Sequence, residues 1–223
     1  MRIYHGSEFS VEKPEYGKGK ANNDYGRGFY CTREIDLARE WAVEEDRDGY
    51  VNTYDLDENG LKILHLNSDA YCILHWITIL LKNRRFELEA PLAKEAYRYL
   101  TEHFSVDLSG VDVITGYRAD DSYFSYAQDF VSGQISVSQL SKAMRLGMLG
   151  EQIVLLSRKA FSKLSFVGAE PVSAAEWFVR KKRRDTQARE AYFRMNKDGY
   201  IRGDLYMVHI IDGEVKSNDP RLF

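Results

Sequence analysis

An α+β fold is what this sequence predicts, on three observations. Short segments of strand character are scattered between helical periodicities, no regular strand–helix–strand rhythm links them, and the apolar content suits one sizeable core. With 223 residues, 44% of them hydrophobic, the chain is expected to close one domain. The formal net charge of −3 supplies no overall field toward nucleic acid or anionic lipid, so any basic contact surface must be local. The two cysteines, Cys31 and Cys72, are far apart, with no CxxC and no histidine pair at ligand spacing. That argues against a disulfide framework or a zinc site, and no metal is expected. The opening MRIYHGSEF has no apolar signal core, and the longest apolar run, residues 70–81, is too short to span a bilayer and contains His75. A cytoplasmic protein without a membrane partner is expected.

Taken in order, residues 2–5 read as an N-terminal strand ended by Gly6. Residues 8–24 contain Pro14, Gly17, Gly19 and several Lys and Asn without periodicity, a long loop of the kind that usually carries function. Residues 27–32 form a second strand. Ile35, Leu37, Ala38, Trp41 and Ala42 then fall on one face of a helix behind a Thr32 cap, running to about Asp46. Residues 50–56 alternate like a strand, and 61–66 make another after the turn at 57–60. Residues 69–103 are helical: an almost wholly apolar helix capped by Asp69, then a polar one from near Pro91. Strands are expected at 111–115, 151–157 and 164–167. Helices are expected at 122–133, 137–145, 159–163 and, long and charged, 172–195. The segment after 195 gives no assignment. The organisation expected is one domain over 1–223, with a helical insertion at about 69–148 and a C-terminal helical extension at about 172–223.

The chemistry concentrates near the N-terminus. His5-Gly6-Ser7 closes a strand, Gly26-Arg27-Gly28-Phe29-Tyr30 opens the next, and Trp41 follows Tyr30 by eleven positions. A strand-end His-Gly-Ser with two aromatics that can stack is what a pocket for the nicotinamide half of NAD needs. Glu151, in Gly150-Glu151-Gln152-Ile153-Val154, puts a carboxylate on a late strand. Glycosyl transfer through a cationic sugar needs such a group.

In that order and spacing, these motifs resemble the His-Tyr-Glu group of ADP-ribosyltransferases, which includes the catalytic domains of poly(ADP-ribose) polymerases and of diphtheria-type toxins. Through Asp112-Val113-Ile114-Thr115-Gly116-Tyr117-Arg118-Ala119-Asp120-Asp121-Ser122-Tyr123-Phe124, the chain is also similar to a bacterial family placed in that superfamily, whose members are described as candidate toxins of toxin–antitoxin pairs. The resemblance implies a split, mostly antiparallel sheet around an NAD cleft. NAD is the implied substrate, a protein or nucleic acid the acceptor, and an antitoxin a further partner. By the same resemblance His5 hydrogen-bonds an NAD ribose, the Gly6 backbone holds the nicotinamide carboxamide and Ser7 adds a hydroxyl. Gly28 joins the cofactor-binding group, Tyr30 covers one face of the nicotinamide ring, and Glu151 stabilises positive charge at the anomeric carbon. Trp41 stands where the group usually has a second tyrosine, a mild change because indole stacks at least as well as phenol.

Several positions keep two readings. Side chains alternate along a strand, so only one of Glu151 and Gln152 can face the cleft. Similarity to Glu-x-Ile-Val favours Glu151, and an inward Gln152 would remove a full negative charge. Arg118 meets the NAD pyrophosphate and Asp121 or Tyr123 orients a hydroxyl, or else Asp120 and Asp121 simply favour a helix N-terminus. Lys13, Lys18, Lys20, Asn22 and Asn23 form either a solvated basic loop or part of a diphosphate site. Five basic residues, 180–184, spread around one helix and read first as a solvated surface, with nucleic acid or an acidic partner as the alternative.

Overall fold

The computed structural model describes residues 1–119, 121–146, 150–196 and 199–223. In chain order the elements are β1 (Arg2–Ser7), β2 (Phe29–Cys31), α1 (Ile35–Ala42), β3 (Gly49–Leu56), β4 (Ile63–His65), α2 (Ile73–Asn83), α3 (Pro91–His103), β5 (Val113–Gly116), α4 (Asp121–Val131), α5 (Val137–Ala143), β6 (Gln152–Leu155), α6 (Arg158–Ser162), β7 (Leu164–Val172), α7 (Ala174–Asn196) and α8 (Met207–Asp212). The class is α+β, as predicted. One sheet has the order β1-β3-β7 and is antiparallel throughout. The other has the order β2-β6-β5-β4, with only β4 and β5 parallel.

The two sheets are joined by a bridge in which Tyr4 and Thr32 exchange both main-chain hydrogen bonds, at 2.8 and 2.9 Å. Beyond that bridge they part. Between them lies a core of Ile3, Cys31, Tyr54, Leu56, Val113, Ile153 and Leu155. The outer face of the second sheet carries the largest core, built on Ile114 and Val154 and on the buried faces of α2, α3, α4 and α5. Burial on nearly every side explains the apolar sequence of α2, and Pro91 starts α3 where its missing N–H is not needed. On the far face of the first sheet, α1 and α7 pack over Val51 and Val172 through Ala38, Ala42 and Trp177.

Helix α1 can sit this close because two glycines lie beneath it. A Cβ on Gly6 would come within 2.0 Å of the Ala38 carbonyl, and one on Gly49 within 2.0 Å of the Ala42 carbonyl. Several boundaries differ from the expected ones. Helix α1 stops at Ala42, because Glu44 and Arg47 close a tight turn. Helix α2 begins after Cys72 rather than at Asp69, since Tyr71 N–H turns back to the Ser68 carbonyl. Strand β7 runs to Val172 through Pro171, which an edge strand tolerates because one side of its backbone needs no partner. Helix α8 occupies part of the stretch that had no assignment. Among the described residues no helix is long and apolar enough to cross a membrane.

Candidate functional site

Where the sheets part, a cavity of about 870 Å³ opens along β1, β2 and the loop between them. His5, Gly6, Ser7, Gly28, Tyr30, Trp41 and Arg118 all line it, so the structure gathers residues from four separate stretches of chain. A smaller recess of about 220 Å³ shares Asn23, Tyr30, Trp41 and Arg118 with it and ends on Asp24, Arg84, Ala119 and Gln152. The size of the larger cavity is in the range of small-molecule sites, and convergent polar groups in a partly apolar cleft mark such sites.

Strand alternation sets what β1 presents. Tyr4 directs its N–H and C=O at Thr32, so Gly6, two residues on, aims its own pair to the same side, into the gap between the sheets. The His5 side chain packs on Phe29, with ring centroids 4.4 Å apart. Its Nδ1 lies 2.7 Å from the Tyr30 carbonyl. A carbonyl only accepts, so Nδ1 carries the hydrogen and Nε2 of the neutral ring is an acceptor. Burial pushes the His5 pKa down, with the Tyr30 bond opposing, which favours that neutral form. Ser7 is already engaged: its Oγ donates to the Phe9 carbonyl at 2.7 Å and accepts from Asn52 Nδ2 at 2.8 Å. Asn52, fully buried, also donates to the His5 carbonyl and accepts from Val11 N–H. It therefore ties the His-Gly-Ser strand to the start of the loop.

Tyr30 stands across the cavity. Its hydroxyl donates to the Gly26 carbonyl at 2.6 Å and accepts from Tyr25 N–H at 3.1 Å, so the ring is held from its far end, and burial raises its pKa. Gly28 is required by packing, since a Cβ there would meet Val154 at 2.5 Å. The Arg118 guanidinium lies over the Trp41 ring, 4.8 Å from its centroid, and the Trp41 indole Nε1 is buried without a hydrogen-bond partner. Lys13, Lys18 and Lys20 also line the larger cavity, and Lys18 pairs with Glu15 at 3.0 Å.

Of Glu151 and Gln152, the one that lines the recess is Gln152. Strand β6 starts at Gln152, and Tyr30 pairs with Val154, so Tyr30, Val154 and Gln152 share one face. Gln152 is the buried one and forms part of the recess. Glu151 precedes the strand and accepts a hydrogen bond from Asn67 Nδ2 at 2.8 Å. Asp120 lies outside the described residues, as does the side chain of Asp121, while Tyr123 is buried in the helical core. In the basic run, Arg180 pairs with Glu176, Lys181 is half-buried near the Val43 carbonyl, and Arg184 pairs with the buried Glu40 at 2.8 Å. Lys182 and Arg183 are exposed and line a groove with Phe178 and Val179.

Sequence reasoning missed Asp24, the last residue of the long loop. It is 4% exposed. Its Oδ1 accepts from Arg84 at 2.9 Å, and its Oδ2 accepts from Ala119 N–H at 2.8 Å and from Gln152 Nε2 at 3.2 Å. Burial raises its pKa, while the Ala119 N–H, Arg84, Arg118 and Gln152 all favour the charged form. No sequence signal marked it, because a lone Asp before an aromatic in a polar loop looks solvated. Among the described residues, no group of three His, Cys, Asp or Glu side chains could hold a metal ion.

Comparison with curated proteins finds no match, and comparison with solved structures finds none either. Residues 1–166, a span that includes His5, Tyr30, Trp41, Arg118 and Gln152, match the family described as "Protein of unknown function (DUF3990)", and the chain belongs to that family.

Proposed function

We propose that this protein is an NAD-dependent ADP-ribosyltransferase on an ADP-ribosyltransferase-type split sheet, releasing nicotinamide and passing ADP-ribose to a macromolecular acceptor. The observation that carries the reading is the convergence of His5, Gly6, Tyr30 and Trp41 on one cavity along β1, β2 and the loop between them. Nicotinamide would enter between the aromatic rings, with its carboxamide on the outward N–H and C=O of Gly6. His5 Nε2 would accept from a ribose hydroxyl, and Arg118 and the loop lysines would face the pyrophosphate. As the C–N bond breaks, its electron pair goes to the ring nitrogen and nicotinamide leaves neutral. The positive charge left on the ribose faces the Gln152 amide oxygen, a fixed dipole held at the recess. An acceptor nucleophile then bonds the anomeric carbon and its proton passes to solvent. The Trp41 Nε1 and Gln152 Oε1, both buried and unpartnered, fit a bound ligand that supplies an acceptor and a donor. A toxin role held in check by an antitoxin belongs to the same reading.

One observation favours a second reading, NAD hydrolysis. The Gln152 amide is itself no base toward an acceptor, which suits water capturing an already cationic sugar. Incubating purified protein with NAD labelled in the adenosine and in the nicotinamide, with and without cell extract, separates these. Label on a macromolecule selects the transferase and free ADP-ribose the hydrolase. NAD left intact under all conditions would refute both and leave a binding module.

A further inference from the structure

We propose that Asp24 is a positioning residue for this reaction: its buried carboxylate fixes the Gln152 amide so that the amide oxygen faces the cavity and the nicotinamide ribose. The inference rests on the NAD-cleaving reading above. Gln152 is 6% exposed, its Nε2 donates to Asp24 Oδ2 at 3.2 Å, and its Oε1 is buried with no partner. A carboxylate can only accept, so the NH2 side must be the one turned toward Asp24. Rotating the amide would set two negative oxygens against each other in a desolvated recess and leave the NH2 to face a developing cation.

Asp24 itself is held from two other directions, by Arg84 just past α2 and by Ala119 N–H beyond β5. Those contacts anchor it and neutralise part of its charge, so its effect on the ribose acts through the geometry and polarisation of the amide. Placed between three segments, it couples the loop end, the helical insertion and β6 at the one point where β6 lines the cleft. This arrangement gives Gln152 the orientation a cleft carboxylate would have had without placing a second full charge beside Asp24.

The test measures kcat and KM for nicotinamide release across pH with wild type, Asp24→Asn, Gln152→Glu and the double variant Asp24→Asn/Gln152→Glu. Asp24→Asn is expected to lose about 100-fold in kcat with little change in KM. In Gln152→Glu two carboxylates meet and must share a proton, so above about pH 7, where His5 is neutral, activity should fall as pH rises while wild type stays flat. The double variant restores one donor and one acceptor and should return to within about tenfold of wild type, with a flat profile. Gln152→Glu keeps the Arg84 and Ala119 contacts, so its profile reads the pair even if Asp24→Asn fails to fold. Full activity with a flat profile in Gln152→Glu would overturn the positioning role while leaving NAD cleavage standing. Absence of nicotinamide release by wild type would overturn the underlying reading and this inference with it.

Discussion

Replacing Gly6 with alanine tests the seat of helix α1 and the cleft wall together. The added methyl would lie 2.0 Å from the Ala38 carbonyl oxygen, 2.7 Å from Ala42 N and 2.9 Å from Trp41 Cβ. None of these is the end of a flexible side chain, so relief requires α1 to lift by roughly 1 Å or more to reach ordinary contact distances. Overpacking of this kind costs about 1–3 kcal/mol, and a clash with helix backbone belongs at the upper end. For a chain of this size, about 3 kcal/mol corresponds to a Tm lower by roughly 6–12 °C. Lifting α1 also moves Trp41 off the cavity, so KM for NAD should rise by about tenfold. Urea and thermal unfolding of Gly6→Ala, followed by NAD titration of the folded fraction, measure both effects. A variant within about 0.5 kcal/mol of wild type and unchanged in KM would show that β1 and α1 do not pack as described.

Other perturbations follow from buried polar groups. Glu40→Ala removes the carboxylate that Arg184 meets in the α1–α7 contact and should cost about 2 kcal/mol in urea unfolding, whereas a loss below about 0.5 kcal/mol would mean the pair is effectively solvent-screened. Cys31 and Cys72 are buried and burial raises both thiol pKa values, so a thiol reagent should label neither in the native protein and both in denaturant. Labelling of native Cys31 would contradict the core between the sheets. His5 and His75 are both pushed below 6.5 by burial. The unfolded chain therefore takes up protons near pH 6.5 that the folded one refuses, and their contribution to stability is complete above 6.5 and lost as pH falls from there toward the lower folded values. The urea midpoint should drop between about pH 7.5 and about pH 5.5, and less so in His5→Gln. An identical slope in that variant would show that His5 is not buried neutral.

Much of the fold was legible because its signals are local. The apolar run of α2, Pro91 at the start of α3 and the alternation of β3 each follow from a handful of adjacent residues. Strand β7 runs past the expected 164–167 through Gly168 and Pro171, which its place at the sheet edge tolerates. His5, Gly6, Tyr30 and Trp41, singled out by their motif spacing, line one cavity. The side of β6 that meets them was not legible, because it depends on Tyr30 pairing with Val154, a register set by two segments far apart in sequence. Asp24 and Asn52 were invisible for the same reason: each is an isolated polar residue whose partners arrive only on folding. Ser7 was legible as part of the motif, yet its hydroxyl bonds to Phe9 and Asn52 tie the strand to the loop.

The most direct measurement compares nicotinamide release from NAD by wild type, Glu151→Ala and Gln152→Ala, each checked for folding by thermal unfolding. With Gln152 in the recess and Glu151 bonded to Asn67, Gln152→Ala should lose about 100-fold or more in kcat. Glu151→Ala should stay within about tenfold of wild type. Loss of activity in Glu151→Ala with Gln152→Ala unaffected would contradict the account, and would mean that the working carboxylate reaches the ribose from the Asn67 side.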